Sequence, residues 1–367
     1  MRIGFDAKRA FNNTTGLGNY SRFVLDALRD FAPQNSYVAY TPRADFGLYS
    51  FPNVRQSQWP KLLHSYWRSH GVVAQLRRDN IGLYHGLSNE LPVGLAKANI
   101  RSVVTIHDLI FLRYPELYPA IDRFFYRQKF RTACHQADAI VAVSEQTKRD
   151  VVDFYNVEPQ KVTVIYQDAP ALFRQPILPV FLSEIALKYN LQKPYVLCVG
   201  TIEARKNQLR LVQAFAKADL PAEAQLILIG GKTPFQNQIE DFIQNNKLGS
   251  RARILNKVPF ADLPALYCNA HFFAYPSLFE GFGIPIVEAL HAGVPVLAAT
   301  GSCLEEAGGS GAVYANPLDI ADLSEKITQL WHDEPLRQKL IQAGGQHVQR
   351  FAADRIARQL TDLYQSI

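Results

Sequence analysis

The chain has 367 residues, 48% of them apolar and 20% charged. That is ordinary globular composition, long enough for two domains with their own cores, and it excludes a disordered or fibrous protein. The formal charge is +6, but residues 1–180 hold 22 Lys/Arg against 15 Asp/Glu while residues 181–367 hold 17 against 18. An anionic lipid headgroup or a phosphorylated acceptor would complement the basic first half, whereas the lack of a helix-turn-helix, zinc-finger or RRM-like motif argues against nucleic acid.

No apolar run reaches the ~18 residues of a membrane-spanning helix. Met1-Arg2-Ile3-Gly4-Phe5-Asp6 enters a strand-like run without the apolar stretch of a signal peptide, so a cytoplasmic protein is expected. Apolar runs at 2–6, 36–41, 81–85, 101–107, 139–143 and 162–166 predict one set of strands, and those at 195–200, 225–230, 252–255, 271–275 and 294–298 predict another. Amphipathic stretches lie between most of them, and Val196-Leu197-Cys198-Val199 is continuously apolar. The pattern predicts two parallel, doubly wound sheets. Pro170, Pro176, Pro179 and Pro194 mark a linker, with a short helix expected at about 182–190. The domains are therefore placed at 1–175 and 176–350, with a terminal helix over 351–367 whose Ile356, Leu360, Leu363 and Tyr364 recur at helical spacing. Cys134, Cys198, Cys268 and Cys303 are scattered and read as small buried hydrophobes in a reducing compartment.

Several segments carry chemistry. Gly16-Leu17-Gly18 follows the first strand through a loop and precedes a helix, where glycines let backbone N–H groups approach a phosphate. Ser21 stands where a dinucleotide fingerprint would have its third glycine. Trp59, Leu62, Leu63, Tyr66 and Trp67 share a helical face beside Lys61 and Arg68, and Arg123, Arg127 and Arg131 recur every fourth residue near Phe124, Phe125 and Phe130. Such stripes are more often core-facing helices with a solvated back; a helix lying on a membrane is the alternative. His85-Gly86-Leu87-Ser88-Asn89 and Thr105-Ile106-His107-Asp108 each end a strand, the edge at which open α/β sheets bind ligands.

Gly200-Thr201-Ile202-Glu203-Ala204-Arg205-Lys206-Asn207 sets two cations on the loop after another strand. A diphosphate leaving group needs positive charge, and without an Asp-x-Asp motif fixed cations are the economical source, so no metal is expected. In Glu280-Gly281-Phe282-Gly283-Ile284-Pro285-Ile286-Val287-Glu288, a glycine turn leads into a helix start at Pro285, with one carboxylate in the loop and one about a turn inside the helix. Such a helix start can hold a phosphate, and carboxylates accept hydrogen bonds from hydroxyls. Phosphate plus hydroxyls describes a sugar nucleotide.

The Glu280–Glu288 segment resembles the signature of the retaining nucleotide-sugar glycosyltransferases of GT-B architecture, two facing Rossmann-like domains with a C-terminal helix crossing back to the first. Within them it resembles family 4, and more narrowly the mannosyltransferase-like branch that builds bacterial surface polysaccharides. The Gly200–Asn207, His107-Asp108 and Leu304–Gly308 segments are similar to further motifs of that family, with Ala204 and Glu305 where prolines are usual and Gly86-Leu87-Ser88 departing from its pattern. The resemblance implies a nucleoside-diphosphate sugar as donor and a carbohydrate or lipid-linked acceptor, and the basic surplus of the first half suggests peripheral contact with an anionic membrane face. Arg205, Lys206 and the Gly16–Gly18 loop would hold the diphosphate, Glu288 the ribose, and the backbone at Val258 the base. Thr201, Glu280 and Gly281 through Ile284 would complete the donor site, with Glu280 and the backbone at Phe282, Gly283 and Ile284 on the sugar. His107 would face the sugar, and His85 and Asn89 the acceptor. A sugar-nucleotide epimerase or phosphorylase on the same fold, or a non-catalytic sugar-nucleotide-binding protein, are the rival readings.

Overall fold

The computed structural model describes residues 1–191 and 194–367. The chain divides into two compact units, Met1–Asp168 with Phe351–Ile367, and Ala169–Arg350.

The first unit is built on seven strands: β1 (Arg2–Asp6), β2 (Ser36–Thr41), β3 (Val54–Gln56), β4 (Leu83–Gly86), β5 (Arg101–Ile106), β6 (Ala139–Ala142) and β7 (Val162–Val164). Their order is β3-β2-β1-β4-β5-β6-β7, and every pair is parallel. Parallel neighbours need crossovers, and helices such as Gly16–Phe31, with Val24, Leu25 and Leu28 buried, supply them. The last helix, Ala353–Ser366, buries Ile356, Ala357, Leu360 and Tyr364 and packs against Gly16–Phe31.

The second unit repeats the plan with β8 (Tyr195–Val199), β9 (Gln225–Ile229), β10 (Ala252–Leu255), β11 (Phe272–Tyr275), β12 (Val296–Ala299) and β13 (Ala312–Ala315), in the order β10-β9-β8-β11-β12-β13. Val196, Leu226, Leu228, Phe272 and Leu297 lie in its core. Both sheets thus reverse direction beside their first strand, between β1 and β4 and between β8 and β11. Those two switch points are where ligands of such sheets bind.

The strands follow the predicted runs, with two additions. β3 and β13 are short edge strands, and Val54-Arg55-Gln56 has no apolar run to betray it. The helix expected at 182–190 starts earlier, at Pro179, which takes its first position. Phe173, read from sequence with the first domain, stacks edge-on against Tyr267 at 5.4 Å in the second unit.

The expectation of core-facing stripes is corrected at both places. Residues 61–71 are a 3-10 turn (Lys61–Leu63), a short α turn (His64–Tyr66) and a π turn (Trp67–Gly71). The wide π turn breaks the helical register. Trp67 is buried, whereas Trp59, Leu62, Leu63 and Tyr66 are exposed, Leu62 by 96%. In the helix Ala120–Gln136 only the far half reaches the core, through Phe130, Ala133 and Cys134 around Phe111. Ile121 and Phe124 stand 67% and 59% exposed.

Candidate active site

The second unit's switch point is formed by the loops after β8 and β11. The first carries Arg205 and Lys206 in a short 3-10 turn, Ala204–Lys206. Asn207 ends that turn in the left-handed region, and its amide donates to the carbonyls of Pro276 and Pro317 at 3.1 and 2.7 Å, tying the two loops together. Gly230, at the end of the neighbouring strand, has no room for a side chain, because a Cβ would meet the Gly200 carbonyl oxygen at 2.0 Å.

Glu280 is the centre of the arrangement. One of its oxygens, Oε1, receives Lys206 Nζ at 2.6 Å, Arg205 Nη1 at 2.9 Å, Ser277 Oγ at 2.5 Å and Tyr275 OH at 3.1 Å. Arg205 also donates to the Phe279 carbonyl and to Glu203, both at 2.6 Å, and Lys206 donates to Tyr275 OH at 2.7 Å. Burial works against the charge on Glu280, but the fields of Lys206 and Arg205 outweigh it and hold the carboxyl down to about 2. The segment therefore holds an ionised carboxylate between two cationic side chains in a largely buried place.

Eight positions on, Glu288 has the opposite environment. Gly283 precedes the helix Ile284–His291 in the left-handed region, at φ 118°, and its Cβ would crowd Leu304 at 2.9 Å, so glycine is required. Ile284 takes the first helical position and Pro285 the second, a step later than expected. Glu288 is buried one turn in and receives Tyr267 OH on Oε2 at 2.9 Å. Burial pushes its carboxyl up to about 7, and the tyrosine only partly offsets this. Of the other expected donor-side residues, Thr201 gives its carbonyl to Gln208 at 2.9 Å, and Val258 lies half-buried beyond β10.

In the first unit the expected residues also gather at the carboxyl edge. His107 follows β5 and is buried. Its Nε2 lies 2.9 Å from the Leu87 carbonyl, and its backbone N–H donates to Asn89 Oδ1 at 2.8 Å. A carbonyl can only accept, so Nε2 carries the ring proton and Nδ1 is an acceptor. Burial draws the ring's pKa down to about 4, only partly offset by the Leu87 carbonyl, so it is neutral near pH 7. Asn89 holds its place in the left-handed region, its N–H bonded to the Thr105 carbonyl at 2.9 Å. His85 is not at an open edge as expected: it lies inside β4, fully buried, because its neighbours close over it.

The Gly16–Gly18 segment is helix rather than loop. Asn13 Oδ1 accepts from Thr15 N, Thr15 Oγ1 and Gly18 N, which starts the helix at Gly16. A Cβ at Gly18 would fall 1.9 Å from the Asn13 carbonyl oxygen, so that glycine is sterically required, while Gly16 has open space around it.

Tyr275, Ser277 and Glu203, which complete the charged cluster, and Tyr267, which bonds Glu288, were not singled out from the sequence. The place of Tyr275 at the end of a predicted strand, and of Ser277 just after it, ahead of Glu280, was the available signal. Among the described residues no group of three or more His, Cys, Asp or Glu side chains is arranged to hold a metal ion. Nor, among the described residues, is any helix long and apolar enough to cross a membrane.

Two Rossmann-order parallel sheets, with a cation pair and two carboxylates at the switch point of the second, define a glycosyltransferase of GT-B architecture. Residues 184–347 match the family model "Glycosyl transferases group 1" and residues 21–167 match "Glycosyltransferase Family 4". The chain is 31% identical over 288 residues to the O-antigen chain mannosyltransferase B of Escherichia coli, covering 77% of this chain and 74% of that one. It is 26% identical over 322 residues to the O-antigen chain mannosyltransferase RfbU of Salmonella typhimurium, covering 83% and 84%. In fold it is similar to the sucrose-phosphate synthase of Thermosynechococcus elongatus, with a TM-score of 0.79, 21% identity and 100% and 98% coverage. HepE of Anabaena, solved with UDP and glucose, matches with a TM-score of 0.78 at 18% identity, covering 100% and 99%. The chain belongs to the family 4 glycosyltransferases, of the surface-polysaccharide type.

Proposed function

We propose that this glycosyltransferase moves mannose, or a related hexose, from a nucleoside diphosphate to a hydroxyl of a carbohydrate or lipid-linked oligosaccharide, with retention and without a metal. The observation that carries the reading is the convergence of Arg205 and Lys206 on Glu280 beside a glycine-started helix. In this reading the diphosphate shares the two cations with Glu280, and the helix start at Gly283 adds its positive end. Fixed cations of this kind supply the charge a departing diphosphate needs.

The bond between the anomeric carbon and the diphosphate oxygen breaks with its electron pair going to the leaving group. The acceptor oxygen forms its bond to the same face of that carbon, and its proton passes to a phosphate oxygen. Glu280, with two cations and two hydroxyls holding Oε1, orients the sugar's hydroxyls and is not used as a covalent nucleophile. Ionised Glu288 accepts from the ribose, and Nδ1 of His107 accepts from a sugar hydroxyl. The mannosyl donor is the choice that the O-antigen relatives favour.

The test is a panel of nucleotide sugars, GDP-mannose and UDP-glucose among them, read by thermal stabilisation and by release of nucleoside diphosphate with and without acceptor. No stabilisation by any of them removes the donor reading. Activity that disappears with a chelator and returns with a divalent cation removes the metal-free one.

The exposed side chains of the first unit favour contact with an anionic membrane. Leu62, Leu63 and Tyr66 lie beside Lys61, and Ile121, Phe124 and Phe125 beside Arg127 and Arg131. Glu90 bridges the two segments, bonding Arg68 at 2.8 Å and Lys129 at 3.4 Å. Insertion of apolar tips with basic residues around them is the signature of interfacial binding. Flotation should show binding to anionic vesicles at low salt, little to neutral ones, and loss on changing Phe124 and Phe125 to Ser. A wild type that stays off anionic vesicles at low salt makes a soluble acceptor the better reading.

A further inference from the structure

A line of buried polar groups joins the last helix to the histidine edge of the first unit, and no role above uses it. The Tyr364 hydroxyl lies 2.7 Å from His85 Nδ1. His85 Nε2 lies 2.8 Å from Thr105 Oγ1, and Thr105 Oγ1 lies 2.9 Å from the Tyr20 hydroxyl. Tyr20 sits in the second turn of the helix Gly16–Phe31, and its ring stands edge-on to that of His107, centroid to centroid 4.6 Å. All five side chains are buried.

Burial draws His85 down to about 3, with the neighbouring His107 opposing a second charge there, so its ring is neutral and has one donor and one acceptor nitrogen. If Nε2 carries the proton, Tyr364 donates to Nδ1 and the ring donates to Thr105. If Nδ1 carries it, both bonds reverse. The two links therefore change together. Three hydroxyls and an imidazole are costly to bury beside a strand that could be wholly apolar, and only a complete chain satisfies them.

We propose that Tyr364, His85 and Thr105 are positioning residues: they fix Tyr20, and through its ring they fix the plane of His107. His107 is then held from two sides, by the Leu87 carbonyl on Nε2 and by the Tyr20 ring. The functional consequence rests on the reading of His107 given above. It makes the last helix part of the reacting edge rather than a mere clamp on the fold.

The full chain is tested as Tyr364→Phe, Thr105→Val and their double variant, with Thr105→Ser as the conservative control. Side-chain 1H–15N spectra of the histidines read the chain without substrate. Tyr364→Phe should move the signals of both His85 and His107, although its hydroxyl bonds His85 and not His107. His107 signals that stay put in both Tyr364→Phe and Thr105→Val overturn the proposal.

With whichever of GDP-mannose and UDP-glucose the wild type turns over, each single variant should lower kcat about tenfold at unchanged donor KM, and the double variant should be no worse than the poorer single, as for links of one chain. Thr105→Ser should keep the wild-type kcat. Losses that multiply in the double variant, or an equal loss in Thr105→Ser, mean separate packing effects and also overturn it. If Thr105→Val fails to fold, Tyr364→Phe and Thr105→Ser decide by the same readouts. If the wild type turns over no nucleotide sugar while the spectra show the coupling, the transfer reading fails and the positioning chain stands.

Discussion

The two units present opposite chemistry on sheets of the same plan. Behind the first unit's carboxyl edge the two histidines are neutral, His85 and His107 being drawn down to about 3 and about 4 by burial, while the charged groups there, Asp6, Arg68 and Glu90, are paired with one another apart from them. At the second unit's edge Arg205, Lys206 and Glu280 are charged and bonded to one another. Yet the first 180 residues hold the basic surplus and the remainder is nearly balanced. The surplus is a property of the surface, while the charge of a site depends on what each buried group is paired with. A lone buried imidazole gives up its proton. A buried carboxylate with two cations keeps its charge.

The largest break in that contrast should come from Lys206. Lys206→Ala should lower turnover by about two orders of magnitude or more, the scale for losing a donor to a developing charge. Glu280 keeps Arg205, Ser277 and Tyr275, so the melting temperature should fall only modestly. Wild-type turnover in this variant would remove the cations from the mechanism.

Next in size is the separation of the two carboxylates. Glu280→Gln should injure transfer and spare nucleoside diphosphate affinity. Glu288→Gln should weaken nucleoside diphosphate and sugar nucleotide alike, by roughly tenfold for a charge-assisted hydrogen bond. Calorimetry with both ligands on both variants decides it, and equal effects of Glu280→Gln on the two ligands would move Glu280 off the sugar.

The pH behaviour sharpens the comparison further. Glu280 has its folded pKa depressed, so its contribution to stability is present above the ordinary 4.5 and is lost as pH falls toward about 2. Glu288 has the reverse sign. The folded protein holds its proton up to about 7, so between 4.5 and about 7 each rise in pH costs stability. Urea titrations of Glu288→Gln should show a flatter stability curve across that interval than the wild type. Nucleoside diphosphate affinity should rise with pH through about 7 in the wild type and not in the variant. Parallel curves for the two proteins would mean that Glu288 titrates elsewhere.

The fold was legible in the sequence because strands buried on both faces leave continuous apolar runs, as at Val196–Val199. Val54-Arg55-Gln56 escaped because a short edge strand needs no such run. Arg205, Lys206, Glu280 and Glu288 were legible because two short contiguous segments, at the ends of neighbouring strands, carry all four. Their partners were not: Tyr275 and Ser277 are common residue types whose role exists only once Glu280 is folded against them. Tyr364 and His85 are 279 positions apart, and nothing in either segment names the other. The exposed Leu62 and Phe124 were misjudged for a different reason. An apolar stripe has the same spacing whether it faces a core or stands exposed.

The return of the last helix to the first unit has a consequence for synthesis. A ribosome delivers residues 1–168 ahead of the second unit, and a unit of that kind would ordinarily fold before the next emerges. Here it cannot finish then, because Ile356, Leu360 and Tyr364, which cover the helix Gly16–Phe31, are made only after the whole of the second unit. Until then a nascent chain carries an uncovered apolar face and a His85 without its tyrosine. The second unit is completed in the interval. Chains that stop short of Phe351 should therefore aggregate through their first unit and leave the second intact, which makes the arrival of residues 351–367 the step at which this protein acquires its histidine edge.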